Sequence, residues 1–92
     1  MDPNGYFALE LPRPADGWER LDELILQARR AGDEVTRAGR RVRFVRSIFV
    51  PEDDTCFCVY QAAAVDDVRE AARRAALSSP RVTEVVSKGG TR

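Results

Sequence analysis

The chain has 92 residues, a length that predicts a single domain over residues 1–92. Its fifteen basic and fifteen acidic residues cancel, so it lacks the basic excess that is typical of nucleic-acid-binding proteins. It contains no histidine, which excludes any catalytic triad that needs imidazole and removes the commonest ligand of transition metals. No segment approaches the ~20 apolar residues of a membrane span, and the N-terminal residues do not resemble a signal peptide, so we expect a cytoplasmic protein.

The first part of the chain predicts a strand followed by a helix. Alternating aromatic and aliphatic residues from Tyr6 to Leu11 favour a strand. A helical spacing of apolar residues follows from Gly17 to about Arg30, or as far as Arg37. Asp16 is the predicted cap at its start, and Gly39 the predicted stop at its end.

The rest of the chain predicts a hairpin, a second helix and a last strand. The β-branched and aromatic run Arg41 to Val50 and the run Thr55 to Gln61 are joined by a short polar turn, so they predict a β-hairpin. A second helix should begin at Asp66 and end near Arg74, since acids at the start and arginines at the end suit the helix dipole. The stretch Arg81 to Ser87 predicts the last strand.

The predicted order of elements is β-α-β-β-α-β, which is the order of the ferredoxin-like fold in the α+β class. It predicts a four-stranded antiparallel sheet with both helices on one face. We expect residues 1–5 and 88–92 to be flexible tails.

Alternation along each strand assigns the side chains to the two faces of the predicted sheet. One face is nearly all apolar and should pack against the helices; its predicted members are Phe7, Leu9, Leu11, Val45, Phe49, Phe57, Val59 and Val85. The opposite face is a mixture, too apolar to stay bare in water and too polar for a core. Such a face indicates an interaction surface.

The simplest partner for the mixed face is a second copy of the chain, because two-fold homodimers are the commonest oligomers. Two sheets facing each other would form a dimeric α/β barrel with a cavity between them. A cavity with aromatic walls and a few polar groups is typical of a small-molecule site. The predicted lining consists of Tyr6, Glu10, Phe44, Arg46, Cys58, Tyr60 and Glu84.

The only two cysteines, Cys56 and Cys58, lie two positions apart in a predicted strand and therefore share a face. Strand geometry points their side chains in parallel, which disfavours a disulfide, and two thiolates are half of a structural zinc site. We interpret them as small buried side chains, with Cys58 in the cavity wall. A metal or redox site and an intermolecular contact are the alternatives.

The polar members of the mixed face are the candidates for catalysis. A cofactor-free cyclase, isomerase or oxygenase would use Glu10 or Glu84 as its base. Arg46 or Tyr60 would then stabilise the developing negative charge. The favoured interpretation is structural, in which these groups form a buried and fully paired polar network.

Several motifs in the second half of the chain form a recognisable set. A strand with Arg46-Ser47 is followed by Phe57-Cys58-Val59-Tyr60 and by a helix with Val68-Arg69-Glu70 and Ala72-Arg73-Arg74-Ala75. With these motifs, Val42 to Val85 resembles a family of small bacterial proteins of unknown function, whose best-known member is an actinobacterial nickel-binding protein. The resemblance implies a ferredoxin-like dimer.

Two departures from that family pattern concern metal binding. Family members commonly have histidine at the position of Ala71 and glutamate at that of Gln61. Since nickel is well served by imidazole and carboxylate ligands, their loss argues against nickel, and we predict no metal site and no cofactor.

The sequence therefore predicts a homodimeric small-molecule-binding module without a nucleic-acid or membrane partner. The alternatives are the cofactor-free enzyme and a divergent nickel-binding or metal-responsive protein.

Overall fold

The computed structural model describes residues 5–11, 13–15, 17–77 and 81–86. Within them, four strands and two helices follow the predicted order. The elements are β1 (Gly5–Leu11), α1 (Leu21–Arg37), β2 (Val42–Val50), β3 (Thr55–Ala62), α2 (Val65–Arg74) and β4 (Arg81–Val85), with a 3₁₀ turn at Pro51–Asp53 between β2 and β3.

The four strands form one antiparallel sheet in the order β2-β3-β1-β4. Strands β3 and β1 are central, and β2 and β4 form the two edges. Both helices pack on the same face of this sheet, and the core includes the buried helix residues Ala28, Ala31, Val35, Val68, Ala71 and Ala72. The predicted ferredoxin-like α+β fold is therefore confirmed.

Helix α1 begins at Leu21 rather than at the predicted Gly17. The residues before it form turns instead, in which the Gly17 amide donates to the Pro14 oxygen at 3.0 Å and the Leu21 amide donates to the Trp18 oxygen at 3.1 Å. The predicted cap, Asp16, lies outside the described residues.

A glycine in the middle of α1 allows the helix to approach the sheet closely. The helix continues through Gly32 to Arg37, the longer of the two predicted ends. A Cβ atom built at Gly32 would lie 3.2 Å from Cε1 of Tyr60. The glycine that lowers helix propensity therefore makes room for an aromatic ring of β3.

Both helices end in a residue with left-handed backbone geometry. In α1 this residue is Gly39, at φ 105°, which confirms the predicted stop. In α2 it is Ala76, at φ 62°. There the Ala76 amide donates to the Arg73 oxygen and the Leu77 amide to the Ala72 oxygen, at 3.0 and 3.1 Å, which is the Schellman pattern.

The predicted hairpin is formed by β2 and β3, and a β-bulge interrupts it. The strands pair from Val50 with Thr55 down to Val42 with Ala62, with a register shift between Phe44 and Arg46. A bulge of this kind bends its strand and changes the face to which later residues point.

The hairpin tip is held against the segment that precedes α1. Asp54 accepts a 2.6 Å hydrogen bond from Nε1 of Trp18 and forms an ion pair with Arg13. The Trp18 ring also meets Phe49 edge-on, with 5.7 Å between the ring centroids. We call this group the clasp.

The register of the central strands corrects the predicted faces. Directly paired residues of an antiparallel sheet share a face, and the core residues of β1 pair as Phe7 with Tyr60, Leu9 with Cys58 and Leu11 with Cys56. The prediction that Cys56, Cys58 and Tyr60 lie opposite the helices is therefore wrong. A one-residue shift in the assumed register inverts every side chain of a strand.

The same correction applies to the edge strands. Glu84 of β4 pairs with Phe7, and Phe44 of β2 pairs with Tyr60, so both lie on the helix side. Conversely, three residues predicted for the helix side lie on the opposite face, since Phe57 pairs with Glu10, Val59 with Ala8 and Val85 with Tyr6. Beyond the bulge the predicted alternation of β2 is correct.

The ends of the elements need smaller corrections. Gly5, predicted as part of a tail, begins β1 and pairs with Ala62. Strand β4 ends at Val85, and Ser87, together with residues 1–4, 78–80 and 88–92, lies outside the described residues. In the part of the chain that the structure describes, no helix is long and apolar enough to cross a membrane.

Candidate functional site

The sheet divides the seven predicted cavity residues between its two faces. Three of them lie on the face without helices, which we call the open face, and four lie on the helix side. The first group is Tyr6, Glu10 and Arg46, and the second is Phe44, Cys58, Tyr60 and Glu84. One cavity on the sheet cannot be lined by both groups.

Tyr60 is a core residue whose hydroxyl is hydrogen-bonded to helix α1. It is fully buried, and its hydroxyl donates a 2.6 Å hydrogen bond to the backbone oxygen of Ala28 in α1. Burial, and to a lesser extent the neighbouring Cys58, raises its pKa well above the usual range. Tyr60 is therefore not placed to stabilise negative charge on a substrate of the open face.

The two cysteines are free thiols in the core. Burial raises the pKa of Cys56, and burial together with the neighbouring Cys56 raises the pKa of Cys58 to about 12. Metal binding and thiol redox chemistry require the thiolate, which these values disfavour at neutral pH. The prediction of small buried side chains is confirmed, whereas the place of Cys58 in a cavity wall opposite the helices is wrong.

Phe44 and Glu84 occupy the two edges of the helix side. The Phe44 ring meets Tyr60 edge-on at 5.6 Å, and the guanidinium carbon of Arg29 lies 5.2 Å from the centre of the same ring. Glu84 is exposed on β4, on the opposite face from Glu10. The pair of carboxylates proposed as alternative bases is therefore separated by the sheet.

The open face carries alternate residues of all four strands, and no described helix covers it. Its members are Tyr6, Ala8 and Glu10 of β1; Arg43, Arg46 and Ile48 of β2; Phe57, Val59 and Gln61 of β3; and Arg81, Thr83 and Val85 of β4. Tyr6, Ile48 and Val85 are 42%, 44% and 41% exposed. Large apolar side chains grouped at this exposure are typical of an interaction surface.

Side-chain sizes along the open face predict a shallow trough. Cross-strand pairing arranges its members in three rows: Arg43, Gln61, Tyr6 and Val85; then Arg46, Val59, Ala8 and Thr83; then Ile48, Phe57, Glu10 and Arg81. The middle row is made of small side chains except for Arg46 at its β2 end. Because larger side chains stand on both sides, we expect a trough across the sheet with Arg46 at one end.

The charged side chains of the open face are mostly arginines, and some of them have a side-chain partner whereas Arg46 has none among the described residues. Glu10 Oε1 lies 3.9 Å from Nη1 of Arg81, and Nη1 of Arg43 donates a 3.3 Å hydrogen bond to Oε1 of Gln61. Arg46 is exposed and makes no ion pair or side-chain hydrogen bond with any residue that the structure describes.

A hollow also lies on the helix side, and the charges around it are paired with one another. It has a volume of about 490 Å³ beside α2 and is lined by Arg40, Asp66, Arg69, Glu70, Arg73 and Leu77. Arg69 pairs with Asp66, Arg73 with Glu70, and Arg40 with the neighbouring Asp67. A hollow between paired surface charges is a weaker candidate for a ligand site than an apolar trough with an unpaired arginine.

The open-face residues Phe57, Val59 and Val85 were missed because they were assigned to the core. The hairpin held a signal that could have found two of them. Four residues connect the strands, so residues equally distant from the turn pair, as Phe49 does with Cys56. Since Phe49 was expected on the helix side, Cys56 had to lie there too, which places Phe57 and Val59 on the open face.

Comparison with known proteins gives one family. The model of the family described as nickel responsive protein SCO4226-like matches residues 17–85, which is well over half of the chain and includes every element after β1. No curated protein and no solved structure matches the chain.

Proposed function

Since the chain belongs to the nickel-responsive SCO4226-like protein family, we propose that it is a homodimeric module that binds a small molecule between two open faces. The exposed apolar surface of the open face carries this proposal. The family description states a response to nickel and names no ligand site. The kind of ligand is therefore inferred from the residues of this chain.

The donor groups of the chain do not fit nickel. There is no histidine, and both thiols are buried on the helix side with raised pKa values. Among the described residues, no three side chains of Cys, Asp or Glu lie together as a metal site would require. Nickel sites favour imidazole, thiolate and carboxylate ligands, so we propose that the ligand is not nickel.

A second copy of the chain suits the open face in size. Four strands about 4.8 Å apart and seven residues with a rise of about 3.3 Å give a plane of roughly 19 by 23 Å. Side-chain relief raises its accessible area towards the ~600 Å² per partner that small specific interfaces bury. Because a two-fold axis pairs the same patch on both copies, Tyr6, Ile48 and Val85 would each be covered in both.

Two troughs facing each other would leave a space for the ligand. The small side chains of Val59, Ala8 and Thr83 would form its walls, and larger residues on both sides would make the contact between the sheets. An apolar space with a few polar groups at its ends has the character of a small-molecule site.

The dimer is tested with a matched pair of variants. Ile48 on the open face and Leu26 on α1 are 44% and 43% exposed, so an aspartate is accommodated in the monomer at either position. Ile48→Asp should convert the dimer to a monomer by burying a charge in the interface, and Leu26→Asp should not, as measured by sedimentation equilibrium. A monomeric wild type, or a dimer that only Leu26→Asp disrupts, contradicts the proposal.

The cavity is tested with phenylnaphthylamine, an uncharged dye that fluoresces in apolar surroundings. The wild-type dimer and Leu26→Asp should bind it, and the Ile48→Asp monomer should not. A dimer that gives no dye signal would be a purely structural interface.

A further inference from the structure

Arg46 is the one charged residue in the middle row of the open face. It stands at the β2 end of the middle row, next to Val59, with which it pairs across the strands. Arg43 and Arg81 have partners, Gln61 and Glu10 respectively. Arg46 has no ion pair or side-chain hydrogen bond within the described residues. Of the three arginines that the structure describes on the open face, it is therefore the one without a side-chain partner, and it stands at the end of the trough.

The charge of the open face does not balance when two copies meet. Among the residues that the structure describes, each copy brings the arginines Arg43, Arg46 and Arg81 and the single carboxylate Glu10. Even if the Glu10 of a second copy turned to Arg46, a surplus of arginines would remain in each copy. Covering a guanidinium without an anion is unfavourable, so the closed faces call for negative charge from elsewhere.

We infer that the ligand is a small organic anion, a carboxylate with an apolar body, whose charged group is bound by Arg46. This inference rests on the proposed function, since it requires the space between two open faces. The planar guanidinium matches a carboxylate with two parallel hydrogen bonds. The small apolar side chains of Val59 and Ala8 continue the trough from Arg46 and receive the apolar body.

The test compares two dyes of similar shape, anilinonaphthalene sulfonate, which carries an anionic group in place of the carboxylate, and the uncharged phenylnaphthylamine. Arg46→Gln should weaken sulfonate binding about tenfold, the loss expected for a charge-assisted hydrogen bond, and should leave phenylnaphthylamine binding unchanged. Arg46→Lys should weaken sulfonate binding less than Arg46→Gln does, because it retains the charge and loses only the two parallel hydrogen bonds of the guanidinium. Arg30→Gln, which removes an exposed arginine of α1, controls for net charge and should change neither dye.

The outcomes separate this inference from the proposed function. If phenylnaphthylamine binds and Arg46→Gln leaves sulfonate affinity unchanged, the cavity stands and the anionic ligand is wrong. If Arg46→Gln dissociates the dimer in sedimentation, the arginine serves the interface and the inference is also wrong. If neither dye binds the dimer, both proposals fail.

A benzoate titration of the same variants checks that a carboxylate binds as the sulfonate does.

Discussion

At the scale of single residues, Tyr60 and Gly32 set the distance between the sheet and α1. The Tyr60 hydroxyl donates a hydrogen bond to the Ala28 carbonyl, and its ring lies 3.2 Å from where a Cβ at position 32 would stand. Cys58, one pleat away on the same face, is fully buried in the same core. The Tyr60 hydroxyl is thus kept neutral and paired, which is the condition under which burying a polar group is tolerated.

Cys58 should make the protein lose stability at alkaline pH. Its ordinary pKa of 9.0 is raised by burial to about 12 in the folded state, so the unfolded chain releases this proton first. The stability that it contributes is complete below pH 9 and is lost as the pH rises towards 12, by at most about 1.4 kcal/mol per pH unit. Urea unfolding followed by circular dichroism should show this slope.

Cys58→Ala identifies the source of that slope. The variant should be less stable at neutral pH because it leaves a small cavity, but its stability should fall less steeply above pH 9. Cys56 and Tyr60, whose pKa values burial also raises from 9.0 and 10.0, add to the alkaline loss and remain in both proteins, so the difference between the two slopes belongs to Cys58. An equal slope in the two proteins would assign the alkaline loss to groups other than Cys58.

At the scale of elements, the two helices end alike but with different residues in the left-handed position. Gly39 ends α1 with the residue that tolerates this geometry best. In α2 the same position is held by Ala76, whose Cβ is crowded against the backbone there. Helix α2 therefore keeps its Schellman pattern at the cost of local strain.

Ala76→Gly should stabilise the protein by about 0.5–1 kcal/mol, because relief of the left-handed strain exceeds the added flexibility of the unfolded chain. The matched control is Ala38→Gly. Ala38 is an exposed residue at the end of α1 with φ −82°, where glycine brings only the entropic loss and should be neutral or destabilising. Thermal unfolding of both variants measures the difference. A destabilised Ala76→Gly would show that the strain is absent.

The elements could be predicted from the sequence, whereas alternation within single strands did not give the faces of β3 and β4. Periodicity and stop signals within a few residues of each other decide where a strand or helix lies, so all six elements were found. Strand β3 has apolar side chains on both faces, with Cys56 and Tyr60 on one and Phe57 and Val59 on the other. Its alternation therefore fits either orientation, and pairing with a neighbouring strand decides between them, either with distant β1 or with β2 across the hairpin, where Cys56 pairs with Phe49.

The prediction of the candidate site was correct only where the face of the strand was predicted correctly. Tyr6 and Glu10 of β1 were placed correctly because that strand alternates cleanly and has an obvious core side. Arg46 was also placed on the correct face, although Phe44 in the same strand was not, since the bulge between them changes the phase within one strand. No local sequence pattern in that segment predicts a bulge.

At the scale of the whole molecule, the fold is two layers and therefore one-sided. The helices and one face of the sheet share a single core, while the other face presents apolar side chains outward. The shortest dimension of the molecule is 19 Å, which corresponds to one layer of helices on one sheet. A second sheet on the open face would complete a thicker, two-sided body.

The whole chain should also fail to bind nickel stoichiometrically. No imidazole is available, and the thiols are protonated and covered by the helices. Calorimetric titration with Ni²⁺ should show no saturable binding near one equivalent per chain, and a chelator should leave the melting temperature unchanged. A saturable site that survives gel filtration would contradict both this expectation and the proposed non-metal ligand.

The clasp contains a natural fluorescent probe of the hairpin tip. Trp18 is the only tryptophan in the chain, and its indole is tied to Asp54 and Phe49 at the hairpin tip, on the helix side of the sheet. Its emission therefore reports whether the tip stays docked. Because the indole and the open face lie on opposite sides of the sheet, the wavelength of the indole emission follows undocking of the tip, and the emission of a bound dye follows occupation of the open face.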